Sequence, residues 1–143
     1  MRTPSQTVGP FFSIGLCRRD ENELGSELRL HGRLIDGAGE PIADGVIEVW
    51  DASRRKWGRC GTDGQGMFEF TIDPPEPRLY VHVLARGLLR HQLTLLYPPG
   101  ASDELLDSLP AEARATLVAE QEDGALRFDI RMQGERQTVF FSE

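Results

Sequence analysis

The stretch from Pro77 to His91 carries Arg78, Tyr80, His82, Arg86 and His91, and with them two of the three histidines and one of the two tyrosines in the chain. Imidazole and phenol are metal ligands, guanidinium clamps carboxylates, and either can hold a partner chain through a charged hydrogen bond. Leu79, Val81 and Val83 alternate with Tyr80, His82 and Leu84, which predicts a strand that sets Arg78, Tyr80 and His82 on one face. That face could address a ligand, a metal or another subunit. The strand ends at Arg86-Gly87, which must turn out of the sheet.

A second candidate surface is the N-terminal run from Thr3 to Phe12, where two prolines, a glycine and small polar side chains precede an aromatic pair. Such a run cannot be a regular helix. It reads as an extended arm, over about residues 1–12, pinned by Phe11 and Phe12 and free to offer backbone groups and threonine hydroxyls. The competing reading is a frayed terminus.

The elements that must position these groups are mostly strands. Leu28, Leu30 and Leu34, then a turn over Asp36-Gly37-Ala38-Gly39-Glu40-Pro41, then Val46 to Trp50 predict a β-hairpin. Trp50 is expected in the core. Asp51 to Arg59 reads as a basic loop in which Arg54, Arg55 and Lys56 beside Trp57 are either a solvated face or an entrance for an anionic substrate. A strand with Phe68, Phe70 and Ile72 on one face follows, and after the Pro77–His91 stretch another from Gln92 to Tyr97. Ser102 is placed to cap a short helix, and Pro110 to open a second over Ala111 to Thr116. Thr116 to Glu120 and Leu126 to Met132 predict a hairpin across Gln121-Glu122-Asp123-Gly124, and Gln133 to Phe141 a last strand. The expected fold is all-β, an antiparallel β-sandwich of about seven to eight strands with one or two short helices.

Composition narrows the function classes. At 143 residues, 39% hydrophobic and 27% charged, the chain suits one globular domain over residues 1–143. Its net charge of −7 argues against a nucleic-acid partner, because phosphates demand a basic surface. No run approaches a membrane span, and Met1 to Gln6 lacks the apolar segment of a secretory signal, so a cytoplasmic protein is expected. Cys17 and Cys60 are too few for a disulfide framework or a zinc site and read as free thiols.

Several motifs in order then carry a resemblance. Thr3-Pro4-Ser5-Gln6-Thr7-Val8-Gly9-Pro10, Val49-Trp50, Ala85-Arg86-Gly87-Leu88-Leu89, Ala115-Thr116-Leu117-Val118-Ala119, Arg127-Phe128-Asp129-Ile130-Arg131, Gln133-Gly134-Glu135 and Thr138-Val139-Phe140-Phe141 span the chain. In these the sequence resembles the intradiol ring-cleaving dioxygenases, and among them the α-type chains of the protocatechuate 3,4-dioxygenase branch. The resemblance implies a β-sandwich and a division of labour. An iron-bearing β subunit holds Fe3+ with two tyrosines and two histidines, hard anionic phenolates suiting the trivalent ion, and the α-type chain lends residues to the mouth of that site.

Setting Ala85-Arg86-Gly87 against the family motif places the two histidine positions at Arg78 and Tyr80, and no tyrosine occurs between Asp51 and Pro77, where the family's tyrosine ligands would fall. The resemblance therefore implies no metal and no catalytic residue on this chain alone, with a β subunit as partner and its Fe3+ as the cofactor. It further implies that Thr7, Gly9, Pro10 and Arg86 contribute to the substrate pocket for an aromatic acid, Arg86 pairing with a carboxylate or, on its other reading, forming an interface salt bridge. Family α-type chains are longer, and the loops missing here follow Trp50-Asp51 and precede Arg78. A metal site built afresh from the chain's own His and Tyr side chains is the rival, against which packing is the better account of those residues. The remaining alternative is a binding or scaffolding β-sandwich without a catalytic role.

Overall fold

The structure, a computed structural model, describes residues 2–9 and 11–142. The described residues form nine strands and three short helices, in the order α1 (Phe12–Leu16), β1 (Leu28–Ile35), β2 (Val46–Asp51), β3 (Lys56–Gly61), β4 (Met67–Ile72), β5 (Leu79–Leu84), β6 (Gln92–Leu96), α2 (Glu104–Ser108), α3 (Ala111–Ala115), β7 (Glu120–Glu122), β8 (Ala125–Arg127) and β9 (Ile130–Arg131). The strands make two sheets, one ordered β4-β1-β8-β7 with β9 also on β1, the other ordered β3-β2-β5-β6. The expected all-β sandwich is present, with one strand and one helix more than the upper counts.

Alternation in the sequence becomes the inner face of each sheet. Leu30 and Leu34 of β1, with Phe68, Phe70 and Ile72 of β4, meet Ile47 and Val49 of β2 and Leu79, Val81 and Val83 of β5 in one core, all at 3% exposure or less. Each such side chain contributes about 1.5–3 kcal/mol by leaving water. Gly32 allows the close approach of the next layer, since a Cβ there would run into the Phe128 carbonyl and meet the Phe68 ring at 2.9 Å. A second, smaller core lies on the outer face of the β3-β2-β5-β6 sheet, where Leu95 and Tyr97 pack with Leu106 and Leu117 from the helical segment.

Several local expectations are corrected. β1 and β2 are not a hairpin: the Asp36 carboxylate does close a turn on the Ala38 and Glu40 amides at 2.9 Å, but the chain then crosses, and β1 pairs with β4, β8 and β9 while β2 pairs with β3 and β5. The β1 pairings with β8 and β9 are parallel, so the sandwich is not wholly antiparallel. Much of the basic loop is strand β3. Its hairpin turn is built by the buried Asp51 carboxylate, which accepts from Ser53 Oγ at 2.7 Å and from the Arg54 guanidinium at 2.9 Å.

Asp103, not Ser102, caps α2, accepting the Leu106 amide at 2.8 Å. The predicted strand from Leu126 to Met132 breaks at Phe128-Asp129 into β8 and β9. The tail is no strand, because the Thr94 hydroxyl donates to the Val139 carbonyl at 2.8 Å and only an isolated bridge joins Leu93 to Phe141. Trp50 is half-buried on the outer sheet face between its register partners Trp57 and Tyr80. Phe11 is 74% exposed and does not pin the arm.

Candidate functional site

β5 alternates as its sequence predicts: Leu79, Val81 and Val83 go to the core, and Tyr80, His82 and Leu84 face outward. Directly across the outer face, Tyr80 has Trp50 and Leu95 as neighbours, and His82 has Glu48 and Leu93. Farther along, Arg59 of β3 is fixed by Glu48 at 2.9 Å, by the Leu16 carbonyl at 2.9 Å and over the Trp57 ring at 4.8 Å, tying α1 to the sheet. Cys17 and Cys60 are free thiols, both held above the ordinary thiol value by burial, so neither is an activated nucleophile.

At the start of β5, Arg78 forms the most densely bonded polar cluster of this face. Its guanidinium donates to Asp103 Oδ2 at 2.6 Å, to the Tyr97 hydroxyl at 3.3 Å and to the Tyr80 hydroxyl at 3.3 Å, while Tyr97 donates to Asp103 Oδ1 at 3.2 Å. The charge lies over both phenol rings, 5.6 Å from Tyr80 and 5.9 Å from Tyr97. The Tyr80 hydroxyl and then the Asp103 carboxylate hold Arg78 protonated well beyond its usual range. Burial alone would raise the Asp103 carboxyl, but the Leu106 amide, the Tyr97 hydroxyl and Arg78 outweigh it and hold it below the carboxylate range. Burial, followed by donation to Asp103, pushes the Tyr97 phenol up. The resemblance marked Arg78 as a misfit at a histidine position; its partners Tyr97 and Asp103 lie 19 and 25 residues away, and with the cap read at Ser102 nothing in the sequence pointed to either.

These residues do not fit a ferric ion. A permanent cation already sits among two phenol oxygens and a carboxylate, and a trivalent ion beside it would be repelled. Among the described residues no group of three or more His, Cys, Asp and Glu side chains is placed to hold a metal. The histidines are spread elsewhere: His31 bonds Glu122 at 2.7 Å on the other sheet, and His82 stacks edge-on against His91 at 5.0 Å.

The arm and the turn after β5 come together at the opposite end of the strand. Gln6 and Val8 share a cleft of about 650 Å³ with residues of the 84–93 turn and with Phe140 and Phe141. Thr7 is exposed between those two lining residues, and Gly9 follows in the left-handed region at φ +80° with open space around it. Arg86 is exposed beside the lining residue Ala85, in a turn closed by the Leu88 amide on the Ala85 carbonyl at 3.2 Å. Thus the expected pocket residues Thr7, Gly9 and Arg86 flank one cleft without themselves lining it, and Pro10 lies outside the described residues. Val8, Phe11, Ile14 and Leu89 leave apolar surface exposed on the arm, α1 and the turn, at 43%, 74%, 77% and 61%. Within the basic run, Arg54 is engaged by Asp51 at 2.9 Å and Glu76 at 3.5 Å, while Arg55 and Lys56 are exposed.

The chain is 32% identical over 190 residues to the protocatechuate 3,4-dioxygenase alpha chain of Burkholderia cepacia, covering 98% of this chain and 96% of that one. It is 31% identical over 192 residues to the alpha chain of the same name from Pseudomonas putida, covering 97% and 95%. No protein-family model matches. Among solved structures, the dioxygenase domain of a dioxygenase and carbohydrate-binding fusion from Streptomyces sp. SirexAA-E superposes with a TM-score of 0.60 at 19% identity, covering 92% of this chain and 98% of that one. Hydroxyquinol 1,2-dioxygenase from Pseudomonas putida DLL-E4 follows with a TM-score of 0.59 at 20% identity, over 90% of this chain and 65% of that one.

Proposed function

The chain belongs to the protocatechuate 3,4-dioxygenase alpha-chain family of intradiol dioxygenases, and from that membership we propose that it is the non-iron α-type subunit completing the active site of an iron-bearing β subunit. The reaction is the O2-dependent intradiol cleavage of protocatechuate to 3-carboxy-cis,cis-muconate. Fe3+ held by the partner's own tyrosines and histidines would supply the Lewis acid for that reaction. The observation that carries this reading is the end-to-end match to two α chains; a guanidinium, Arg78, where the resemblance expects a histidine, supports it.

Residues 1–143 act in this proposal as one intradiol-dioxygenase-like domain, with the arm reaching toward the partner. Thr7, Gly9 and Pro10 shape the wall of the partner's site, and Arg86 pairs with the substrate carboxylate. None of these groups exchanges a proton in its ordinary ionisation state at neutral pH, so their contribution is positioning and charge. The exposed apolar side chains of the arm, α1 and the turn support burial against another chain. A cytoplasmic setting belongs to the same proposal and is supported by the two free thiols. Among the described residues no helix is long and apolar enough to cross a membrane.

The test is co-expression with a candidate β chain. A mixed oligomer that consumes O2 with protocatechuate, against an inactive isolated chain, is the expected result; a chain that neither assembles with β nor changes its activity leaves the scaffolding reading. Within an assembled enzyme, Arg86→Ala should cost about 2–4 kcal/mol of transition-state stabilisation, roughly one and a half to three orders of magnitude in kcat/KM. Kinetics equal to the parent's would remove Arg86 from the pocket.

A further inference from the structure

The Arg78 cluster is built unlike an ordinary surface ion pair. One guanidinium is shared by the Tyr80 hydroxyl of its own strand, by Tyr97 just beyond β6 and by Asp103 at the cap of α2, so three segments converge on a single positive charge. The two phenol faces flank it, an arrangement that a cation gains from and a neutral group does not. Every partner atom is oxygen, the donor type that hard cations prefer. Its Nε is buried without a hydrogen-bond partner, so charge and fork at the tip, rather than complete pairing along the side chain, decide the arrangement.

We infer that this is an oxygen-lined cation site filled by the chain's own guanidinium, at a position where the resemblance expects a metal-ligating histidine, and that the resident positive charge excludes a metal ion while fastening α2 to the sheet. The inference does not depend on a partner subunit or on any activity of the assembled enzyme. It rests on the family assignment only for the comparison with catalytic chains; the convergence of Tyr80, Tyr97 and Asp103 on one cation is a property of this structure. Because the site recognises a planar monocation, a vacancy made there should accept free guanidinium.

The experiment is chemical rescue. Arg78→Ala should lower the Tm by several degrees, and millimolar guanidinium, but not the same concentration of sodium, should restore part of the loss saturably. The same guanidinium should leave the parent unchanged or slightly lower its Tm. A folded Arg78→Ala protein whose Tm does not respond overturns the inference. Two measurements on the parent hold even where the variant fails to fold. Incubation with ferric citrate should give no visible phenolate-to-iron absorption, and the Arg78 Nη protons should be resolved and slow to exchange in nitrogen-15 spectra. A coloured parent protein, or an Arg78 guanidinium rotating freely with one averaged Nη signal, would each overturn it.

Discussion

Removing the Asp103 carboxylate separates two roles that the structure assigns to one side chain. In Asp103→Ala, α2 loses the acceptor for the Leu106 amide, worth about 1 kcal/mol for a helix cap. Arg78 loses its 2.6 Å carboxylate partner, a charged hydrogen bond of about 1.5–3 kcal/mol when shielded. The two side chains retain 26% and 19% exposure, so solvent screening reduces that contribution to about 1–2 kcal/mol. The sum is about 2–3 kcal/mol. With an unfolding entropy near 2.1 cal/mol/K per residue, a chain of 143 residues loses about 3 °C of Tm per kcal/mol, so Asp103→Ala should melt about 6–10 °C below the parent. Asp103→Asn keeps an equally good cap and loses the charge, and should fall only about 3–6 °C. Scanning calorimetry of the three proteins at neutral pH makes the comparison. Equal melting of the Ala and Asn variants, or an Ala loss below about 3 °C, would refute the shared role of the carboxylate.

Stability should form a plateau between about pH 5 and 9. The folded-state values of Asp51 and Asp103 are lowered, so their contribution is present above the ordinary carboxylate value near 3.9 and is lost as pH falls through the lowered folded values. Tyr97 is raised, so its contribution is present below about pH 10 and is lost as pH rises through the raised value; thermal melts across the range test both edges, and a Tm insensitive to acid would contradict the carboxylate assignments. Gly32→Ala should destabilise by at least about 1–3 kcal/mol, since the new methyl meets the Phe128 carbonyl backbone rather than a flexible side-chain tip; denaturant unfolding within 0.5 kcal/mol of the parent, a margin typical of about neutral surface changes, would show that the layers can separate. Ile14→Asp places a charge on exposed apolar surface of α1 and should weaken association with a β chain in light scattering while leaving the isolated chain's Tm within about 2 °C, as expected for a surface change; unchanged association would take α1 out of the interface.

Much of the sheet architecture was legible because side-chain alternation is a local property. Leu79, Val81 and Val83 announced the inner face of β5, and Phe68, Phe70 and Ile72 that of β4, from spacing alone. The same spacing carries no information on which strand lies beside which. The turn after β1 was read correctly, yet β2 belongs to the other sheet, because the hydrogen bonds that sort strands join residues such as Leu30 and Phe70, distant in the chain. Strand β3 was hidden by its charged composition; an edge strand tolerates Arg and Lys, and its turn depends on the buried Asp51.

The site divides the same way. The sequence determined that Arg78 and Tyr80 stand where the resemblance expects histidines, and that Arg78, Tyr80 and His82 share a face. Tertiary structure alone decided what that substitution means. By bringing Tyr97 and Asp103 across from the far side of β6 and the α2 cap, it gave a positive charge a set of oxygens whose attraction falls steeply with distance, and no count of residues along the chain could show those distances to be 2.6 and 3.3 Å.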